Sequence, residues 1–175
     1  MAVPEFIQRL RAALGSDHLL WLSGVTAVVV DEQERILLQR CADTGAWRLL
    51  SGILEVGEQP ADGVVREVAE ETGVHVQVHR LAAVTVTEER TLGNGDRVQF
   101  LVHTFLCTPV AGEARVNDDE SLEVRWFAPS ELPDLSPSCQ IKLRHALSGG
   151  AEAWFQPSVG AEGIARGPAA SGQGM

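Results

Sequence analysis

Apolar, β-branched stretches alternate with polar turn segments along most of the chain. Residues 24–30 are almost wholly apolar, which predicts a buried central strand. The polar segment 31–35 leads into a second predicted strand at 36–40, and a hairpin is the natural connection between the two. Three further strands are predicted at 81–88, 98–107 and 122–127. A turn at 92–96 separates the first two, and an acidic loop at 111–121 separates the last two.

Three segments predict helices. In 61–72, Val64 and Val68 belong to an apolar stripe with helical spacing, and Gly73 stands where a C-terminal stop is expected. The other two helices are predicted at 4–14 and at 137–147. Strands, one helix, further strands and a closing helix indicate an α/β fold with a mixed sheet and helices on its two faces.

This order of elements suggests three parts. Residues 1–20 form an N-terminal helical extension that packs on the core or, as the less favoured alternative, contacts a second copy in a homodimer. Residues 21–147 form the single domain that a chain of 175 residues accommodates. Residues 148–175 are rich in Gly and Ala. Because 160–175 have little apolar content to compensate for ordering entropy, we expect a flexible tail.

The composition narrows the classes of partner. The net charge is −10, from 24 acidic and 14 basic side chains. A nucleic-acid surface needs clustered Lys and Arg, so no nucleic-acid partner is expected. No apolar stretch reaches membrane-spanning length, and no membrane partner is expected. Three scattered cysteines without a CxxC pair fit a reducing compartment, which predicts a cytoplasmic protein.

The helix at 61–72 carries the strongest chemical signal. Glu67, Glu70 and Glu71 stand at i, i+3 and i+4, which places three carboxylates on one helical face. Most Glu-rich faces are simply solvated, and we expect these glutamates at surface positions. A hard divalent cation bound between the carboxylates attracts each of them and offsets their mutual repulsion. Mg²⁺ is such a cation and prefers carboxylate oxygens. Mg²⁺ is therefore the predicted cofactor, with Mn²⁺ as a possible substitute.

The flanking residues favour the metal site over the solvated face. Arg66 stands four residues before Glu70, where it is able to pair with and orient a carboxylate. Gly52 and Gly57 flank a loop that leads to Glu58. Glycines at these positions permit tight turns and the close approach of backbone to a metal or phosphate.

The segment from Gly52 to Val74 resembles the Nudix box at every defined position. Gly52 is followed after five residues by Glu58 and, after seven more, by the run Arg-Glu-Val-Ala-Glu-Glu-Thr-Gly-Val at 66–74. The resemblance extends more loosely over 22–147. It implies a Nudix hydrolase with an α/β/α sandwich, a mixed β-sheet and a loop–helix–loop box motif. One departure is Leu50-Ser51-Gly52, where many relatives have Pro-Gly-Gly.

The resemblance also implies a metal-ligand set. The glutamates that match the family ligands are Glu67, Glu70 and Glu71, and the backbone carbonyl of Gly52 often joins them. In the family the metal polarises phosphoryl oxygens and activates a water molecule that attacks phosphorus.

Four residues receive catalytic or supporting roles by the same resemblance. Arg66 orients the site, and Glu58 supports it. One glutamate acts as the general base, for which Glu67 is one candidate and Glu120, in the acidic loop, is the other.

The substrate class is inferred by elimination. The signatures of ADP-ribose, diadenosine polyphosphate and coenzyme A hydrolases are missing, which favours a nucleoside triphosphate cut by a MutT-type pyrophosphohydrolase. ADP-ribose or another sugar nucleotide is the alternative small-molecule substrate. A non-catalytic nucleotide sensor and an isomerase related to the isopentenyl diphosphate enzymes are two further alternatives, and the intact box argues against both.

A few side chains outside the box are possible ligand contacts. Trp47 and Trp126 are able to stack on a base, although packing is the favoured interpretation. Arg90, Arg97 and Lys142 are able to meet phosphate, but exposed charge is their default role.

Overall fold

The computed structural model describes residues 4–15, 17–92 and 94–158. The helices in these ranges are α1 (Glu5–Leu14), α2 (Pro60–Thr72) and α3 (Pro137–Leu147), with a 3₁₀ turn at Pro129–Glu131. The strands are β1 (Leu20–Val29), β2 (Ile36–Cys41), β3 (Trp47–Arg48), β4 (Leu50–Ile53), β5 (His75–Val86), β6 (Arg90–Thr91), β7 (Arg97–Ala111), β8 (Ser121–Phe127) and β9 (Trp154–Phe155).

Two sheets organise the described residues. The larger sheet has the strand order β4-β1-β7-β5-β9, with β6 paired to β7. It is mixed, because β1–β7 and β5–β9 are parallel while its other pairs are antiparallel. The smaller sheet is antiparallel, with the order β3-β2-β8. The predicted mixed sheet is confirmed, and the second sheet is an addition to it.

The hairpin expected between β1 and β2 is wrong. The turn itself is tight, since the Asp31 side chain accepts hydrogen bonds from the backbone N–H of Gln33 (3.0 Å) and Arg35 (2.8 Å). However, a single antiparallel bridge, Val30 to Ile36, joins the two arms. Because β4 and β7 occupy both edges of β1, β2 diverges and pairs with β3 and β8 instead.

The helices cover opposite faces of the mixed sheet. Val64 and Val68 of α2 pack in one cluster with Val25, whereas Leu143 of α3 packs in another with Val28. Successive residues of a strand point to opposite faces of the sheet. The odd-numbered Val25 of β1 therefore faces α2, and the even-numbered Val28 faces α3. The arrangement confirms the predicted α/β/α sandwich. No helix within the described ranges has the length and apolar character needed to cross a membrane.

The two ends of the described chain attach to this sandwich. Ile7 of α1 is buried in a cluster with Leu20 and Phe100. At the other end, β9 pairs with β5, and Trp154 stacks on His145 of α3 with ring centroids 4.3 Å apart. The segment predicted as a flexible tail from residue 148 therefore contains a short strand, β9, that pairs with the sheet, and its part at 159–175 lies outside the described residues.

Candidate active site

Helix α2 ends where the sequence predicts. Gly73 adopts the left-handed conformation (φ 70°), and its N–H donates to the carbonyl of Ala69 at 2.9 Å. The acidic loop closes over this end, since the Asn117 side chain donates to the carbonyl of Glu70 (3.1 Å) and the Arg115 N–H to that of Thr72 (3.0 Å). These bonds hold the loop that carries Glu120 against the carboxylate-bearing helix.

Gly52 and Glu67 are in direct contact. A Cβ atom placed on Gly52 would overlap the carboxyl group of Glu67, so the Glu67 side chain lies across the glycine Cα. Gly52 is paired with Val25 inside the mixed sheet. Only glycine leaves the space for this approach of a helix carboxylate to a strand backbone.

Arg66 holds one carboxylate group in place and touches two others. Its Nε and Nη2 atoms donate to the two oxygens of Glu58 at 2.8 and 2.9 Å, which is a bidentate pair. Its Nη1 donates to Glu67 at 2.9 Å and to Glu70 at 3.0 Å, and Nη2 also reaches the carbonyl of Ile53 at 3.2 Å. The structure thus brings four of the residues singled out by the sequence into one network.

Glu71 is not at the surface, contrary to the sequence-based expectation. It is 2% exposed and accepts a hydrogen bond from Gln39 Nε2, while its other oxygen accepts from the N–H of Ser51 at 3.2 Å. Gln39 in turn accepts from Ser121 Oγ. Arg48 lies 3.8 Å from Glu71. Glu71 is buried because the i+4 position of α2 faces the sheet, whereas the side chain of Glu70 is 58% exposed.

The electrostatics of the carboxylates differ. Burial, followed by the charges of Glu67 and Asp118, raises the pKa of Glu71 to about 8, against the opposing effects of Gln39 and Arg48. Burial also raises the pKa of Glu67, with smaller contributions from Glu70 and Glu120.

The supporting ion pair shows the opposite behaviour. The hydrogen bonds from Arg66 lower the pKa of Glu58, and the bond to Glu58 raises the pKa of Arg66. Glu58 and Arg66 therefore stabilise each other's charged forms, whereas for Glu67 and Glu71 the effect of burial outweighs the nearby charges of Arg66 and Arg48.

The residues fit a hard divalent cation, although they do not form a closed cage. No three carboxylate, imidazole or thiolate groups in residues 4–15, 17–92 and 94–158 converge as a metal-ligand set. Instead, Glu67 accepts a hydrogen bond from Arg66 and Glu71 accepts one from Gln39. Carboxylates that raise one another's pKa values are the donors that such a cation neutralises. The ligand set stays a prediction.

Glu120 joins the site through a shared arginine. Its carboxylate lies 3.9 Å from Arg48, which also approaches Glu71 at 3.8 Å. Its charge raises the pKa of Glu67. The loop glutamate chosen from the sequence is therefore near the helix carboxylates in space.

Sequence reasoning missed four residues that contact Glu71 directly or through a neighbour: Gln39, Arg48, Ser51 and Ser121. Gln39 had a recognisable signal, because it is the one amide in the otherwise apolar run 36–39 and is fully buried. A buried polar side chain needs a partner, which predicts a specific contact. The other three had no signal, since their contacts come from separate segments.

The favoured packing role of the tryptophans agrees with their surroundings. Trp47 is half-buried and makes an edge-on contact with Phe127 at 4.8 Å between ring centroids. Trp126 packs against the cluster that contains Val25, Val64 and Val68, and the Arg35 guanidinium lies 5.8 Å from its ring centroid.

Comparisons with known proteins agree on the family. The family model of the NUDIX domain matches residues 21–147. A MutT-like protein from Streptomyces ambofaciens is 38% identical over 126 residues, which are 71% of this chain and 76% of that protein. The human 8-oxo-dGDP phosphatase NUDT18 is 35% identical over 62% of this chain and 33% of its own.

A solved structure agrees with the sequence relatives. A UDP-X diphosphatase has a TM-score of 0.60 and 26% identity, with 83% of this chain and 71% of that chain covered. Nudix hydrolases generally use divalent cations and act on small nucleotide-like substrates. The chain belongs to the Nudix hydrolase family and is a pyrophosphohydrolase that acts on phosphorus anhydrides.

Proposed function

We propose that this enzyme uses Mg²⁺ to cut a nucleoside triphosphate into a nucleoside monophosphate and diphosphate. The observation that carries the proposal is the group of under-compensated carboxylates at Gly52, where Glu67 lies on the strand backbone and Glu71 is buried behind it. The similarity to a MutT-like protein supports the choice of a triphosphate substrate.

The residues divide into ligands and supports. Glu67, Glu70, Glu71 and the carbonyl of Gly52 would hold the metal. A Mg²⁺ ion held there would supply Lewis-acid polarisation of the phosphoryl oxygens and activation of the attacking water. Arg66 restrains the position of Glu67 through the bond at 2.9 Å. Its brace to Glu58 fixes the guanidinium, so the geometry of the carboxylate is set before substrate binds.

Glu67 and Glu120 are the two candidates for the general base. A base must be ionised at the operating pH, and the raised pKa of Glu67 brings it closer to neutrality, where proton transfer is most effective. Glu120 lies on the loop that closes over α2, next to Arg48. A Glu120→Gln variant separates the two, because Glu120 is not one of the proposed ligands. This variant should lose the acidic limb of the kcat profile if Glu120 is the base and keep that limb if Glu67 is the base.

A sugar nucleotide is the second candidate substrate. The structural similarity to a UDP-X diphosphatase, at 26% identity, favours it. The products distinguish the two candidates, since a triphosphate releases diphosphate and a sugar nucleotide releases a nucleoside monophosphate and a sugar phosphate.

The test is a panel of nucleoside triphosphates, ADP-ribose and sugar nucleotides, with products separated by chromatography. We expect turnover of triphosphates with Mg²⁺ and none in EDTA. Glu67→Gln should lower kcat by on the order of a hundredfold or more, because it removes charge stabilisation that is greatest in the transition state. Asp62→Asn is the matched control, since Asp62 is exposed on the same helix, and it should keep normal turnover.

Two results would contradict the proposal. Turnover confined to sugar nucleotides would replace the triphosphate substrate by the second candidate. Equal turnover rates for Glu67→Gln and the wild type at limiting Mg²⁺ would show that Glu67 is not a metal ligand.

A further inference from the structure

Arg48 enters the active site from the smaller sheet. It stands in β3 and pairs in register with Gln39 of β2, and residues paired in this way have their side chains on the same face of a sheet. Gln39 donates a hydrogen bond to Glu71 on that face. The Arg48 guanidinium reaches the same carboxylate at 3.8 Å and that of Glu120 at 3.9 Å. The smaller sheet therefore brings a positive charge close to a proposed metal ligand and to a candidate base.

The hydrogen-bonding capacity of this guanidinium is left unused. Both distances from Arg48 Nη2 are longer than an N–H···O hydrogen bond, which is about 2.7–3.2 Å. Its Nε atom is buried without a hydrogen-bond partner. A guanidinium has five N–H donors, and within the described ranges those of Arg48 donate to no other residue. Buried donors without partners are costly and rare, so the position of Arg48 needs an explanation beyond packing.

Arg66 shows how a supporting arginine is held in the same site. Its Nε, Nη1 and Nη2 atoms all donate hydrogen bonds, to three carboxylates and to the carbonyl of Ile53. These donors are occupied before a substrate binds. Arg48 differs, because it lies near its two carboxylates without directed hydrogen bonds to them. The donors of Arg66 support the site, whereas those of Arg48 are available to a ligand.

A ligand at the carboxylates is able to reach Arg48. The Arg48 side chain is 28% exposed. Glu71, 3.8 Å from it, also accepts a hydrogen bond from the N–H of Ser51 at 3.2 Å. Ser51 directly precedes Gly52, whose Cα lies against the carboxyl group of Glu67. The Arg48 guanidinium is therefore separated from the Gly52 backbone by a single carboxylate group.

The charge of Arg48 suits an anion once a cation is bound. Glu71 is one of the proposed ligands, and a carboxylate that ligates a divalent cation has less charge to offer to a neighbouring guanidinium. Arg48 would then lack a full counter-charge. The oxygens of a phosphate group match the planar fork of a guanidinium and accept two parallel hydrogen bonds from it. A diphosphate bound to the cation presents such oxygens beside Glu71.

We propose that Arg48 binds non-bridging oxygens of the diphosphate whose anhydride bond is cut. This proposal rests on the proposed function in placing that diphosphate at the carboxylates. It does not depend on the choice between a triphosphate and a sugar nucleotide, because both contain the diphosphate. Arg48 is then a substrate-binding residue, and Arg66 is a support of the carboxylates.

Calorimetry with methylenediphosphonate tests the proposal, because this diphosphate analogue has neither a bond that the enzyme cuts nor a nucleoside. The Mn²⁺ affinity of each protein is measured beforehand by electron paramagnetic resonance, and the analogue is then titrated at saturating Mn²⁺. Arg48→Met removes the charge and every donor. We expect it to weaken binding of the analogue at least about tenfold, which is typical for the loss of a hydrogen bond to a charged group. The Mn²⁺ affinity should not fall, since the variant removes a positive charge from the neighbourhood of Glu71.

An arginine on the opposite face of the smaller sheet provides the matched control. Arg125 of β8 is exposed, and it follows Val124, which pairs with Gln39. Successive residues of a strand point to opposite faces, so Arg125 points away from the face that carries Arg48. Arg125→Met removes the same charge and should bind the analogue as wild type does.

Circular dichroism verifies that each variant is folded. Arg48→Gln takes the place of Arg48→Met if that variant does not fold, because it keeps an N–H donor for the neighbouring carboxylates while removing the charge. It should weaken binding of the analogue at least about tenfold as well.

The outcomes are separable from those for the proposed function. The proposal is overturned if wild type does not bind the analogue, if folded Arg48→Met binds it as tightly as wild type at saturating Mn²⁺, or if Arg125→Met loses as much affinity. Turnover confined to sugar nucleotides, together with a loss specific to Arg48→Met, would refute the triphosphate substrate and support the role of Arg48. Turnover of triphosphates with equal affinities for the analogue would refute the role of Arg48 alone.

Discussion

Replacing Glu71 by Gln should remove a contribution that makes the metal-free protein less stable as the pH rises. Glu71 is buried, and its two oxygens accept hydrogen bonds from Gln39 and from the N–H of Ser51. Glutamine keeps the size of the side chain and an oxygen for Gln39. It loses the acceptor for Ser51 and the ability to ionise.

The magnitude follows from the pKa of Glu71. Burial raises that pKa from the ordinary value of 4.5 to about 8. Each pKa unit between the folded and unfolded states corresponds to about 1.4 kcal/mol. Ionising Glu71 in the folded protein therefore costs on the order of 5 kcal/mol, whereas the hydrogen bond lost in Glu71→Gln costs about 1 kcal/mol.

The sign is set by proton binding. Between the unfolded pKa near 4.5 and the folded pKa near 8, the folded protein holds a proton that the unfolded chain has released, so the free energy of unfolding falls as the pH rises. This contribution is fully present below pH 4.5 and is lost as the pH passes through about 8. Wild type and Glu71→Gln should therefore be about equally stable at pH 5, and Glu71→Gln should be the more stable protein at pH 8.5 by several kcal/mol.

Urea denaturation in EDTA, at intervals between pH 5 and 8.5, measures both proteins. At each pH the free energy of unfolding of Glu71→Gln is subtracted from that of wild type. Groups that titrate alike in both proteins cancel from this difference, apart from those coupled to Glu71. A difference that stays constant over the whole range, or that favours wild type increasingly at high pH, would show that folded Glu71 is ionised and that its pKa is not raised.

Two further variants test contacts that the structure defines. Gly52→Ala places a methyl group where the Glu67 carboxyl lies. Its kcat should therefore fall on the order of a hundredfold with the fold retained, while Gly150→Ala, which meets only an atom at 3.9 Å, keeps full activity. Arg11→Met breaks a largely buried ion pair to Asp96 of 2.6 Å. It should lower the free energy of unfolding by about 3 kcal/mol in urea titrations. Arg9→Met, which removes the exposed pair with Glu5, is the control and should cost less than about 1 kcal/mol. Equal losses in the two variants would contradict the structural role of the Arg11–Asp96 pair.

The sequence by itself determined the local elements and the family motif. Helix α2 was predicted almost to the residue, because an apolar stripe and a C-terminal glycine are encoded within a few neighbouring positions. Strands β1, β2, β7 and β8 were predicted within four residues of their bounds for the same reason, whereas β5 begins six residues before the segment predicted at 81–88. The box fixed the identities of Glu58, Arg66 and Glu67, and their mutual contacts in space agree with the spacing along the chain.

The tertiary structure decided how these elements meet, since that depends on pairings between distant segments. Strand β2 leaves β1 because both edges of β1 are already occupied. Glu71 is buried because α2 turns that position toward the sheet, where Gln39 comes from another strand. Lys142 faces Thr26, 116 residues away in sequence. Helical spacing gives the angle between neighbouring side chains of a helix, but it does not tell which of them faces the core. The raised pKa of Glu71 follows from its burial, so it could not be predicted from the sequence.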